Sequence, residues 1–315
     1  MSHLFRDIVH DYPRYWGILR DAAIGYWDDN ALSRGAAIAY YTIFSIGPVL
    51  LIVVAIAGFF FGEQAAQGAI LNQLTGLMGH SSATAIEGLI HSAHQKGAGT
   101  AATIIGIITL LLTATGVFAE MQADLNAIWK AAPQTSAITA LIRVRMASLG
   151  LVGALGFLLL VSLAVSSGLQ AAASYLHTVS TVFDVVLRII TFLISFALIT
   201  VMFAAIYKVL PDRQVEWRDV LTGAVVTALL FTIGKFLISL YIGGAAIAST
   251  YGAAGSLLVF LIWVYYSAQI FLFGAEFTRA FAETKGSDAP EHQQVGIPDQ
   301  PGDMKPTSQV GSVKP

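Results

Sequence analysis

Lys235 is the residue whose type and position most demand a chemical explanation. It lies eight residues before Gly243 in a run from Val220 to Ile247 that holds no other charge. Eight helical residues are about 12 Å, and a charge that deep in hydrocarbon costs about 2.5–3.5 kcal/mol on insertion scales. Arg188 stands one turn after Asp184 near the start of a second apolar run, with Glu63 and Glu87 the other acids expected on that side. Two cations with so few acids suit an anionic headgroup or carboxylate bound in a cavity. The alternative is structural: Lys235 snorkels outward and Arg188 pairs with Asp184 at i, i+4.

Arg34 and Glu276 fall at the ends of two further apolar runs, where an interhelical ion pair is expected and a gate or coupling-proton site is the more active alternative. Tyr40, Tyr41, Thr42 and Ser45 in one run, and Tyr265, Tyr266, Ser267 and Gln269 in another, place polar groups inside apolar helices. Such groups hydrogen-bond between helices or line a route. Glu87, His91 and His94 share a helical face, with His80 as a fourth candidate ligand, but surface histidines explain them better than the convergent set a metal needs. No metal site, cofactor or catalytic group is therefore expected.

What positions these residues is a membrane. The chain is 56% hydrophobic and 11% charged, less than half the charge of an ordinary soluble domain, about 25%. Residues 251–275 are twenty-five without a charge, about 37 Å of helix against a hydrocarbon core of about 30 Å. The fold class expected is all-α and polytopic, with six spans at about 36–62, 100–119, 146–170, 184–207, 220–247 and 251–279. Pro48 marks a kink in the first span. Residues 1–35 read as amphipathic helices, interrupted at Pro13, lying at the headgroups or packed on the bundle. Residues 63–98 suggest two short extracytoplasmic helices, and 285–315, with five of the nine prolines, a disordered cytoplasmic tail. Charges among the first residues argue against a cleavable signal. Arg6, Arg14, Arg20, Arg34, Lys130, Arg143, Arg145, Lys208, Arg213, Arg218, Arg279 and Lys285 fall on one side, with only Lys96 opposite. The positive-inside rule then places both termini in the cytoplasm. There is no cysteine, and a net charge of −2 leaves no basic face for nucleic acid.

Several stretches together resemble the YihY/BrkB family of bacterial inner-membrane proteins, once called ribonuclease BN. They are RGAAIAYYTIFSIGPVLL (34–51), NAIWK (126–130), YKVLP (207–211), the pairs Trp217–Arg218 and Gly223–Ala224, and YGAAGSLLVFLIWVYYSAQIFLFGAEF (251–277). The resemblance implies a six-helix envelope protein, with envelope integrity and export of lipid or lipid-like anions as the roles to expect, and it supplies no catalytic residues. Ribonuclease chemistry is not supported. It needs clustered metal-binding carboxylates or an acid–base pair beside a basic groove, and the acids on the basic side, Asp124, Asp212 and Asp219 among them, are scattered in sequence. No Gly-rich phosphate loop is present either.

The combined expectation is a non-enzymatic inner-membrane protein whose partners are membrane lipids. It would transport or flip an anionic lipid or lipid-like envelope component. The alternative is a scaffold for envelope assembly, and self-association is compatible with either.

Overall fold

In the computed structural model, the chain is described over residues 2–62, 116–131, 181–244 and 253–288, with isolated positions at 64, 67, 68, 70–72, 75 and 150. Every regular element among the described residues is helical: α1 (Ser2–Asp28), α2 (Ala31–Phe61), α3 (Gly116–Ile128), α4 (Thr181–Val209), α5 (Trp217–Gly244) and α6 (Ala253–Thr284). Three of them are long and apolar enough to cross a bilayer, over Ile189–Val209, Trp217–Tyr241 and Leu257–Thr284. A helix satisfies its own backbone groups where no water is available to do so. Most of the expected spans at 100–119 and 146–170, most of the two short helices within 63–98 and the tail beyond 288 lie outside the described residues.

Two expectations about the amino-terminal region are corrected. Pro13 does not interrupt the helix, and α1 is continuous from Ser2 to Asp28. The next helix begins at Ala31 rather than 36 and is helical through Pro48. The turn between them is made by Asp29 and Asn30, with Asn30 in the left-handed region at φ 54°, a conformation asparagine tolerates better than most residues.

α6 is the axis of the bundle and packs against α1, α2, α3 and α5. α1, α2 and α5 run antiparallel to it, and α3 runs parallel, from Gly116 beside Tyr41 and Ser45 to Ile128 beside Arg279. On α2, Ala39, Leu50, Val53 and Val54 share a cluster with Val264 and Phe260. On α1, Ile18 and Ala22 are fully buried with Phe277, Ala280 and Phe281. The opposite face of α1 leaves Trp16 and Trp27 64% and 67% exposed, as suits rings at a membrane–water interface. Along its buried face this helix is packed on the bundle.

Small residues let α5 and α6 meet closely. A Cβ on Gly223 would stand 1.8 Å from Thr278 Oγ1, and one on Gly274 would stand 2.0 Å from Thr227 Oγ1. Thr227 and Thr278 each return their hydroxyl to the carbonyl four residues back, Gly223 and Gly274 respectively, so neither leaves an unmet donor. The Tyr207 hydroxyl from α4 closes the layer, donating to the Phe271 carbonyl at 2.7 Å and lying 3.1 Å from Thr227 Oγ1.

Gly223→Ala is therefore expected to force α5 and α6 apart at about 1–3 kcal/mol, the usual range for an overpacked core. Adding Thr278→Ala removes the atom in the way and should recover most of the loss in thermal unfolding of the detergent-solubilised protein. Equal destabilisation by the single and double variants would contradict this packing.

Candidate functional site

The charged residues that the sequence scatters over 250 positions converge at one end of the bundle. Arg34, in the first turn of α2, donates from Nη1 to Asp124 Oδ1 of α3 at 2.9 Å and from Nε to the Asp29 carbonyl at 2.7 Å. Arg279, near the end of α6, donates from Nη1 to Asp29 Oδ2 at 3.0 Å and to the Ile128 carbonyl at 2.7 Å. Its Nη2 lies 3.4 Å from Glu276 Oε2, and its Nε lies 3.7 Å from Glu283. One guanidinium thus ties the α1–α2 turn, the end of α3 and the end of α6.

The expected ion pair between Arg34 and Glu276 is replaced by these two. Both residues belong to the same cluster, but the turn at Asp29 and Asn30 stands between them in the network and gives each a different partner. Glu276 and Asp124 are fully buried, and Glu276 Oε1, Glu276 Oε2 and Asp124 Oδ2 lack hydrogen-bond partners among the described residues. α1 covers Glu276 directly: a Cβ on Gly25 would stand 2.5 Å from its Oε2 and 2.9 Å from Arg279 Nη2.

A second layer joins α3 to the loop between α4 and α5. Asn126 and Asp212 bond reciprocally, the side-chain amide to Oδ2 at 2.7 Å and the Asp212 backbone N–H to Asn126 Oδ1 at 2.8 Å. Gln122 donates to Asp212 Oδ1 at 3.2 Å. Arg213 lies over the buried Trp129 ring and pairs with Asp288 at 2.5 Å, while Lys208 bonds the Val215 carbonyl and faces Trp217. Fully buried Asp219 accepts from the backbone N–H and the hydroxyl of Ser287. The chain therefore stays packed through Asp288, past the expected start of the tail at 285. The stretches NAIWK and YKVLP, eighty residues apart, are the two sides of one joint.

Other residues singled out in the sequence fall elsewhere. Gln269 accepts a hydrogen bond from the Tyr26 hydroxyl and packs its amide against Gly35. Ser45 is buried, whereas Tyr40 and Tyr41 are exposed and in edge contact with each other. Tyr266 joins Tyr26, Leu230, Ile233, Gly234, Leu237, Gln269, Ile270 and Phe273 around a groove of about 310 Å3 between α1, α5 and α6. Lys235 is half-buried on α5, beside Gly234 in sequence, and no partner of its ammonium is seen among the described residues. The side chains of Arg188, Asp184 and Pro48, and residues His80, Glu87, His91 and His94, lie outside what is described. No group of three or more metal-ligating side chains occurs among the described residues.

These joints coincide with the conspicuous sequence stretches. The family model described as virulence factor BrkB matches residues 22–296. The chain belongs to the BrkB family. Among its relatives, a UPF0761 membrane protein of Rhodospirillum centenum is 29% identical over 284 residues, covering 89% of this chain and 61% of the relative. One from Alcanivorax borkumensis is 30% identical over 269 residues, covering 80% and 57%. One from Alteromonas mediterranea is 27% identical over 282 residues, covering 86% and 90%. This BrkB-family chain thus spans about three fifths of the length of the first two relatives. No solved structure matches it.

Two BrkB-family carboxyls at this end have a defined electrostatic bias. Burial pushes Asp124 above the ordinary carboxylate range, against the hydrogen bond and charge of Arg34, which pull it down. Burial also raises Glu120, reinforced by Asp124 and opposed by Arg34. A raised folded-state value gives stability that is fully present below the ordinary carboxyl pKa, about 4, and is lost as pH rises through the folded value. The wild-type melting temperature in detergent should therefore rise as pH falls from 7 toward 5, and the slope should flatten in Glu120→Gln/Asp124→Asn. An unchanged slope in that double variant would refute the assignment.

Arg279→Ala should be far more damaging, at about 3–5 kcal/mol, because it leaves buried acids without their cation. Arg279→Lys should recover only part of this, since an ammonium cannot reproduce the fork that reaches Asp29 and the Ile128 carbonyl together. Chemical unfolding in micelles measures both.

Proposed function

We propose that this chain is a six-span inner-membrane protein with both termini in the cytoplasm that takes up an anionic, lipid-like envelope component from the bilayer and moves it across. The observation that carries the reading is the groove between α1, α5 and α6. Its volume, about 310 Å3, lies within the ordinary range for small-molecule sites, about 300–1,000 Å3. Its walls are apolar, from Leu230, Ile233, Leu237, Ile270 and Phe273, and polar groups gather at Tyr26, Tyr266 and Gln269. Ile233 and Leu237 are half exposed, at 51% and 52%, so the groove opens on the lipid-facing side of α5. An acyl chain suits such a wall.

Lys235 supplies the anionic preference in this reading. It follows Gly234 of the groove wall in sequence, and a half-buried ammonium without an acid attracts phosphate or carboxylate. The second reading is a scaffold that moves nothing. The close packing of Tyr207, Thr227, Gly274 and Thr278 at the centre of α4, α5 and α6 favours it, because that layer leaves no polar passage between those three helices.

Headgroup translocation in vesicles containing the full chain separates the two. Transport predicts faster equilibration of a labelled anionic lipid than in empty vesicles and at least a tenfold loss on Lys235→Met with normal insertion. It also predicts loss on Ile233→Trp, which fills the groove from its exposed side. A rate no different from empty vesicles supports the scaffold, and full activity in Lys235→Met removes that residue from the site.

A further inference from the structure

We infer that Glu276 is a proton-binding site, occupied at neutral pH and sealed from water by Gly25 of α1. The argument is one of charge and space, and it holds whether or not a lipid is moved. At the joint of α1, α2, α3 and α6, the carboxylates of Asp29, Asp124 and Glu276 meet the guanidinium groups of Arg34 and Arg279. Arg34 is used by Asp124 and by the Asp29 carbonyl. Arg279 is divided among Asp29, the Ile128 carbonyl, Glu276 and Glu283, and its contact with Glu276 is, at 3.4 Å, longer than the one with Asp29. Three buried or half-buried acids thus share two cations. The acid left over is the one that is fully buried with both oxygens unpartnered.

The groups facing Glu276 from every neighbouring element are accounted for. Asp29 comes from the α1–α2 turn, close enough for its carboxylate to act as hydrogen-bond acceptor, and Lys130 acts from beyond α3 at the surface. Arg34 of α2 is turned to Asp124 of α3. Arg279 and the exposed Glu283 belong to α6 itself. From α5, Asp219 is taken up by Ser287. A protonated Glu276 converts the worst contact into a bond, since its O–H donates to the Asp29 carboxylate while its carbonyl oxygen accepts from Arg279. Proton loss leaves a buried anion whose nearest cation, Arg279, is shared with Asp29, which is costly in a low-dielectric site. A metal cation is a poorer occupant, because Gly25 already stands where its coordination sphere would extend and sodium or calcium requires about six oxygen ligands.

Infrared difference spectroscopy of the full chain in lipid nanodiscs, titrated between pH 5 and pH 9, tests this. The stretching band of a protonated buried carboxyl should be present at pH 7 in the wild type and missing in Glu276→Gln. That variant, which keeps the shape and a donor for Asp29, should retain or exceed the wild-type melting temperature. Asp124→Asn should leave the band, because the cation of Asp124 is Arg34, whereas Asp29→Asn, which frees Arg279 for Glu276, should weaken it or move its loss to lower pH. If the band survives Glu276→Gln, disappears in Asp124→Asn instead, or is unchanged in Asp29→Asn across the titration, the proton resides elsewhere and the assignment fails. A band that responds to sodium at fixed pH would equally overturn it in favour of a metal cation.

Discussion

The structure depends on how few cations hold together the end where its helices leave the membrane. Arg279 reaches the α1–α2 turn, the last carbonyl of α3 and an acid of its own helix. Arg34 does the same between that turn and the body of α3. A guanidinium suits this work because its fork is planar and always charged, so one side chain serves several acceptors without loss of geometry. Removing either would leave acids in a region with little water to solvate them.

From that end the rest of the bundle follows by close approach. Gly25 against Glu276, Gly35 against Gln269, Gly223 against Thr278 and Gly274 against Thr227 mark four places where a polar side chain of one helix occupies the space a Cβ would take on another. Hydrophobicity gives little preference between helices already in lipid, so small residues and hydrogen bonds decide which faces meet. The bundle is closely packed through α4, α5 and α6 for this reason. Its concavity lies outside that layer, where α1 leans on α6 and leaves a groove against α5.

The helical class, membrane-length runs and the family were legible in the residues, because a missing charge over twenty-five positions has few explanations and the family stretches are long. The particular partners were not. Arg34 and Glu276 were identified as a helix-end pair on position alone, yet ninety residues separate Arg34 from its actual acid, Asp124. Asp124 and Asp219 read only as acids scattered in sequence, and nothing local singles out Asp29 or Gly25. A hint was present in the spacing of Glu276 and Arg279 at i, i+3, which puts both on one face.

Sequence by itself determined that this chain lives in a membrane as helices, because hydropathy acts locally and each helix closes its own hydrogen bonds. It also determined which end carries the positive charge. Tertiary structure alone decided which acid each arginine holds, that Asn126 and Asp212 form one joint, and that both Glu276 oxygens lie beneath α1 without a hydrogen-bond partner among the described residues. Those outcomes depend on distances between helices, and helix spacing is set by small residues meeting across the bundle, a property of pairs that no single stretch contains.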